Sequence, residues 1–289
     1  MPLNSNTVGG STQPLHHDVD ARWLMAYAAG IGDLNPAYMD TAANTVIAHP
    51  VFPVCVEWPV ILNVREIAGS ESMSREESAR GVHAAHDLHL YRPIQDGDQL
   101  ATQATITEVR RIKPGAAYTM RLDTTDVASG ELVAQTYQLG IYRGVEVIGD
   151  DNRCEDAPAW PQAPDPAQAP GIEIPVPAGA AHTYTECARI WNPIHTDRAV
   201  ALSAGLPDII LHGTATLALA VSRIVEQFGD GDPTRVARLG GRFSAMVLMP
   251  STISVQARQD GNTVSYQVLT EDGQVAISNG FVVLRESLR

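Results

Sequence analysis

Lysine is almost missing from this chain: Lys113 is the only one in 289 residues, and the remaining positive charge is carried by arginine. Acidic residues outnumber basic ones 33 to 20, giving a formal net charge of −13. That balance leaves no basic stripe for a phosphate backbone and excludes a general nucleic-acid footprint. An arginine bias this general reads as a property of genome composition rather than as a set of bidentate phosphate contacts. Cysteine is scarce too. Cys55, Cys154 and Cys187 are far apart and form no C-x-x-C pair, so neither a disulfide framework nor a zinc ribbon is expected, and a reducing cytoplasm fits. The opening Met1-Pro2-Leu3-Asn4 lacks a charged segment followed by an apolar one, and no stretch has the length and purity of a spanning helix. The expectation is a soluble cytoplasmic protein with no membrane partner.

What is present is ordinary for a globular protein: 44% hydrophobic and 18% charged residues, enough to bury a full core. The length exceeds what one compact core usually organises, so two domains or two fused repeats are expected. Proline marks the division. Pro158, Pro161, Pro164, Pro166, Pro170, Pro175 and Pro177 crowd one stretch, which must be extended and cannot form a helix or central strand. The expected organisation is an N-terminal unit over 1–150, a Pro/Ala-rich linker over 151–180 and a C-terminal unit over 181–289.

The two halves share a pattern, the mark of internal duplication. Asp33-Leu34-Asn35-Pro36-Ala37-Tyr38-Met39-Asp40 matches Ile190-Trp191-Asn192-Pro193-Ile194-His195-Thr196-Asp197 at a constant offset of 157. Tyr91 to Asp98 and Ser244 to Ser251 correspond by position rather than by letter. Leu24, Tyr27, Ala28 and Ile31 recur at helical spacing after Asp18 or Asp20 as cap, and Gly30 with Gly32 ends that helix. From Ile209 to Phe228 the first three turns are apolar almost all round, which predicts a helix buried on every side. Alternating runs such as Val133, Tyr137, Leu139, Ile141 and Ile253, Val255, Ala257 predict strands. Strands in succession after one long helix, without βαβ alternation, indicate an antiparallel α+β layer.

Tyr184 through Ala201 resembles the signature of the MaoC-like (R)-specific enoyl-CoA hydratases. That signature runs aromatic, one or two residues, aliphatic, small, Gly, Asp, any, Asn, Pro, aliphatic, His, five residues, Ala or Ser. Tyr184, Asn192, Pro193, Ile194, His195 and Ala201 agree with it, while Arg189 and Ile190 stand at the Gly and Asp positions. Ala204 to Gly213 and Arg238 to Ala245 are similar to the family's approach to its central helix and to one of its strands. Tyr27 to Asp33 and Arg92 to Asp98 look like the N-terminal repeat of the fused form.

The resemblance implies a double hotdog, in which each repeat wraps an antiparallel sheet around a central helix. It also implies hydration of a (2E)-enoyl thioester to a (3R)-3-hydroxyacyl thioester, or the reverse dehydration. In the family an Asp and a His five residues later move the protons, and amides at the central helix's N-terminus polarise the carbonyl. Carried over, His195 is the acid/base, Asn192 orients it and Gly213 is the oxyanion donor. Asp33, Asn35 and Tyr38 are secondary candidates, for Asp33 keeps the acid while Tyr38 stands where His would be. Ile190 cannot carry a proton, so an active second half needs a substitute such as Glu186, Asp197 or a residue from a distant strand. Asn192 can equally be a turn initiator, Asp197 a helix cap and His212 a packed family position.

The implied partner is an acyl-CoA or acyl-carrier thioester, with CoA as part of the substrate and no separate cofactor, and a homodimer is expected. His83, His86 and His89 alternate in parity along one predicted strand, so a shared metal site is not expected. Two further readings stay open: a catalytically degenerate acyl-thioester binding or scaffold protein, and a thioesterase on the same fold.

Overall fold

The computed structural model describes residues 3–70, 73–78, 80–162 and 164–286. The first half contributes strands β1 (Leu15–Asp18), β2 (Gly81–Leu90), β3 (Gln99–Ile112), β4 (Gly115–Asp126) and β5 (Leu132–Arg143). The second contributes β6 (Gly171–Val176), β7 (Val236–Phe243), β8 (Ser251–Asp260), β9 (Thr263–Leu269) and β10 (Val275–Leu284). All lie in one antiparallel sheet in the order β1-β3-β4-β5-β2-β7-β10-β9-β8-β6. With β6 to β10 taken as a copy of β1 to β5, the second half repeats the first in reverse. A pseudo-twofold therefore passes through the β2/β7 pair, and each half wraps its own helix: the double hotdog.

Four helices matter to the site: α1 (Ala21–Gly30), α2 (Pro53–Leu62), α3 (Ala180–Ala188) and α4 (Gly213–Phe228). Asp20 caps α1, its side chain accepting from Trp23 N–H at 2.8 Å. Helix α4 begins at Gly213, later than the expected Ile209. The intervening residues are held to the sheet instead: Ile210 bridges Leu248, and Leu211 N–H donates to the Val247 carbonyl at 2.9 Å. Its first turns are enclosed, with Ala215 to Ala218, Ala220, Val221, Ile224 and Val225 all buried.

Helix α2 is the first repeat's own central helix and was hidden in the sequence by Pro50, Pro53 and Pro59. Pro53 occupies the first turn, where a missing N–H costs nothing, and packing holds the helix through Pro59. Residues 171–176 are also regular: they pair along β8 as an edge strand, with Pro175 opposite Thr252. Proline is tolerated there because a strand edge does not demand every N–H.

One large core runs through both repeats, joining Trp23, Tyr27 and Phe52 to Leu217, Ile224 and Ile277. The halves interlock further at β2/β7. A Cβ on Gly240 would sit 2.4 Å from the His86 carbonyl, so glycine alone lets these backbones close. Beside it Arg238 grips the buried Asp87 through two hydrogen bonds of 2.8 and 2.7 Å. Burial would raise the Asp87 pKa, but the hydrogen bonds and charges of Arg238 and His89 together outweigh it and lower it. Among the described residues no helix is long and apolar enough to cross a membrane.

Candidate active site

The duplication extends to individual hydrogen bonds. Asp33 N–H reaches the Ala28 carbonyl at 2.9 Å, and Ile190 N–H reaches the Thr185 carbonyl at 3.1 Å. Asn35 Oδ1 accepts from Ala37 N–H at 3.0 Å, as Asn192 Oδ1 does from Ile194 N–H at 3.4 Å. Tyr38 and His195 donate their N–H groups to the Asn35 and Asn192 carbonyls at 2.9 and 3.1 Å. Gly32 (φ 74°) and Arg189 (φ 58°) both take the left-handed conformation that turns the chain. Arginine tolerates it with its guanidinium 3.9 Å above the Trp23 ring. Each loop thus presents its fifth residue, Tyr38 or His195, inward. On the pseudo-axis Tyr27 meets Tyr184, ring centroids 5.8 Å apart.

In the second half His195 is buried and donates from Nδ1 to the Ile210 carbonyl at 2.8 Å. A carbonyl can only accept, so the proton is on Nδ1 and the Nε2 lone pair is left for chemistry. Burial lowers the His195 pKa to about 4, against the opposing Ile210 hydrogen bond, so the ring is neutral at physiological pH. It stacks on His212 at 3.7 Å. His212 Nε2 is 3.2 Å from Thr185 Oγ1, and Thr185 is part of the wall of a cleft of about 310 Å³ that Asn192, Trp191 and Glu186 also line.

Gly213 opens α4 directly after His212. The Tyr184 hydroxyl donates to Thr214 Oγ1 at 3.0 Å and fixes this first turn. Among the described residues the N–H groups of Gly213 and Thr214 have no acceptor. A Cβ on Gly213 would come within 3.0 Å of the Phe243 ring, so the helix start is both unblocked and closely walled. Two free N–H groups at the positive end of a sixteen-residue helix suit a developing oxyanion.

Among the described residues no carboxylate supports His195. Ile190 is 5% exposed and packed in the core. Asp197 caps the following helix, accepting from Ala199 and Val200 N–H at 2.9 and 3.2 Å. Glu186 lies on α3, exposed, with the Trp191 indole 3.5 Å away.

The first half assembles a different cluster at the mirrored place. Asp33 Oδ1 accepts from Asn35 N–H at 3.1 Å, and its Oδ2 lies 4.0 Å from His49 Nε2. Asn35 Nδ2 reaches across to the Gly231 carbonyl at 2.7 Å, tying the loop to the end of α4. His49 Nδ1 accepts from Val51 N–H at 3.1 Å, so its proton is on Nε2, which faces Ser222 Oγ at 3.1 Å. That tautomer leaves no lone pair to activate Ser222, and the Asp33–His49–Ser222 group is not a nucleophilic triad. Tyr38 is fully buried, and burial followed by Asp33 and Asp232 holds its hydroxyl well above the usual range. Tyr38 is therefore a poor proton carrier.

Sequence reading missed His49 and undervalued His212. Each stands ahead of its central helix, but the offset between them is 163 rather than 157, so the loop alignment does not pair them. It also separated His83 from His86 by parity. A β-bulge between His83 and Ala85 in the pairing with β5 shifts the alternation, and the two rings meet at 5.3 Å. His89 stays on the other face, 3.4 Å from Asp87. Among the described residues no group of three or more His, Cys, Asp or Glu is arranged to hold a metal ion.

Comparison with known proteins follows the same division. Residues 162–279 match the MaoC like domain, and residues 6–136 match the FAS1-like dehydratase domain region. The chain is 27% identical to the enoyl-CoA hydratase ChsH3 of Mycobacterium tuberculosis, covering 96% of this chain and 98% of that protein. It is 25% identical to the peroxisomal multifunctional enzyme type 2 of Mus musculus over 89% of its own length but only 35% of that protein's. A MaoC-like dehydratase from Phytophthora capsici has the same fold, with a TM-score of 0.81 at 22% identity, covering 96% of this chain and 97% of that one.

Proposed function

We propose, from the match of its second half to the MaoC like domain and of its first half to the FAS1-like dehydratase domain region, that the chain adds water to the double bond of a 2-enoyl thioester, or removes it in reverse. The observation that carries this is one neutral imidazole, His195, with Nδ1–H anchored on the Ile210 carbonyl, next to the free N–H groups that open α4. The thioester carbonyl accepts from Gly213 N–H, where negative charge grows as the enolate forms. His195 Nε2 takes a proton from water while the water oxygen bonds to Cβ. The enolate then takes that proton at Cα from the imidazolium, which returns to neutral. Water is consumed, nothing is oxidised, and no group beyond the CoA or carrier portion of the substrate is required. Asn192 acts as a positioning residue, since its side chain holds the turn that aims His195.

The test is a panel of enoyl-CoA substrates of several chain lengths, followed by loss of the conjugated thioester absorbance and by release of free thiol. His195→Ala should lower turnover by about 10²-fold or more in a folded protein, the size of a general acid/base contribution. In the wild type kcat/KM should stay level as pH falls and drop only towards pH 4, where His195 takes a proton. Unchanged turnover in the folded variant would move the chemistry elsewhere. Thiol release would point to the thioesterase reading, and a wild type inactive on every substrate to the binding or scaffold one.

A further inference from the structure

The bulge in β2 leaves two imidazoles in an interior place with ring nitrogens that no protein group satisfies, although His83 keeps a hydrogen bond to the backbone at Ala85. His86 is 0% exposed, and neither its Nδ1 nor its Nε2 has a hydrogen-bond partner; His83 Nε2 is likewise buried and unpartnered. A buried polar atom without a partner loses its hydration with nothing in return, so three together are a conspicuous concession of stability. Their position is informative. His86 pairs in register with Gly241 of β7, on the sheet face that also carries Tyr266 and Ile277 of the core. His83 lies against Phe243, centroids 4.8 Å apart, and Phe243 is the ring that walls Gly213 at the start of α4. A continuous line therefore runs from the proposed oxyanion donor, past Phe243, to His83 and then His86. Burial first lowers both pKa values, to about 3 for His83 and about 4 for His86, so both rings are neutral at physiological pH.

We propose that His83 and His86 form the distal part of the acyl site and hydrogen-bond a neutral oxygen function, a keto or hydroxyl group, carried by the acyl chain beyond the reacting double bond. This rests on reading the site as one for an acyl thioester. His83, with one ring nitrogen bonded to the backbone at Ala85, offers Nε2 as an acceptor, and His86 offers one donor and one acceptor; together they complement a hydroxyl, and the His86 N–H suits a keto oxygen. A carboxylate fits worse, because it brings a full charge to rings that burial keeps neutral. A plain hydrocarbon tail leaves all three nitrogens unpaired in a site now closed to water. Discrimination against such an analogue is therefore larger than a hydrophobic pocket achieves by shape alone.

The experiment is equilibrium binding by titration calorimetry, using saturated acyl-CoAs that cannot react. Chains of one length are compared, plain or with a keto or hydroxyl group at successive positions beyond the third carbon. The wild type should bind one oxygenated isomer at least about 10-fold more tightly than the plain chain, the equivalent of one satisfied buried polar group. That ratio should fall to about one in His86→Phe and in His83→Leu. The Tm of His86→Phe should hold or rise, because an apolar ring replaces an unpaired one. No preference in the wild type, as when the pair merely encloses a buried water, overturns the proposal. So does a preference that survives both substitutions. Turnover of plain enoyl-CoA reads the hydratase function separately: hydration without a binding preference defeats this proposal alone, and a preference without hydration defeats the other alone.

Discussion

Ile190→Asp tests the reaction scheme at the position where this chain departs from the signature it resembles. The backbone already suits a carboxylate, because the equivalent Asp33 sits in a loop with the same hydrogen bonds and keeps its Oδ2 4.0 Å from the His49 imidazole. The same geometry at 190 sets a negative charge against the stacked His212 and His195 rings. Two unit charges at 4 Å interact by about 4 kcal/mol at an effective dielectric constant of about 20, which is about 3 pK units. His212 stands where His49 does and meets that charge first, so the stacked His195, now held at about 4 by burial, should rise by only part of that, about 1 pK unit or more. The acid limb of kcat/KM against pH then moves up by the same amount. At pH 8 the stronger base should raise turnover by about 10-fold or more, since Asp197 and Glu186 are engaged elsewhere and in the proposed scheme the natural site works through His195 alone. Losing a buried isoleucine lowers stability by about 2–4 kcal/mol, so the comparison is made well below the variant's Tm. The assay is a pH–rate profile of both proteins on one enoyl-CoA. An acid limb that does not move would refute the equivalence of the two loops; a limb that moves while turnover falls would show that another group already carries the proton.

Glu57→Gln should stabilise the protein in a pH-dependent way. Glu57 is fully enclosed on α2, and burial raises its carboxyl from 4.5 to about 7 despite the Thr136 hydrogen bond. The wild type therefore loses about 1.4 kcal/mol per pH unit as pH climbs from the unfolded value through the folded one, about 3 kcal/mol in all. Glutamine removes that loss, so denaturant midpoints should agree near pH 4 and separate in the variant's favour at pH 8; equal midpoints at both would remove the charge argument. Gly213→Ala should lower kcat by about 10-fold or more, because its Cβ would meet Phe243 at 3.0 Å and shift the helix start. An unchanged kcat would take that N–H out of the reaction.

Much of this protein is local and so could be read from the chain itself. The offset of 157, the Asn-Pro turns and the Asp20 cap all depend on hydrogen bonds between residues a few positions apart, which residue type and spacing specify directly. The enclosed helix was legible because a surface without a polar face must be buried. Its start was not, since Ile210 and Leu211 are drawn into pairing with residues near 248, a contact that no local propensity announces. Helix α2 was obscured for the same reason, as packing carries it through Pro59. The site divides likewise. His195 and Asn192 stood out by spacing, but only the fold put the Ile210 carbonyl on His195 Nδ1 and so decided which nitrogen is free. Only strand pairing produced the bulge that turns His83 toward His86. Protonation state and unsatisfied polarity depend on what surrounds an atom from every direction, and in a duplicated fold whose main core runs through both repeats part of those surroundings comes from the other repeat.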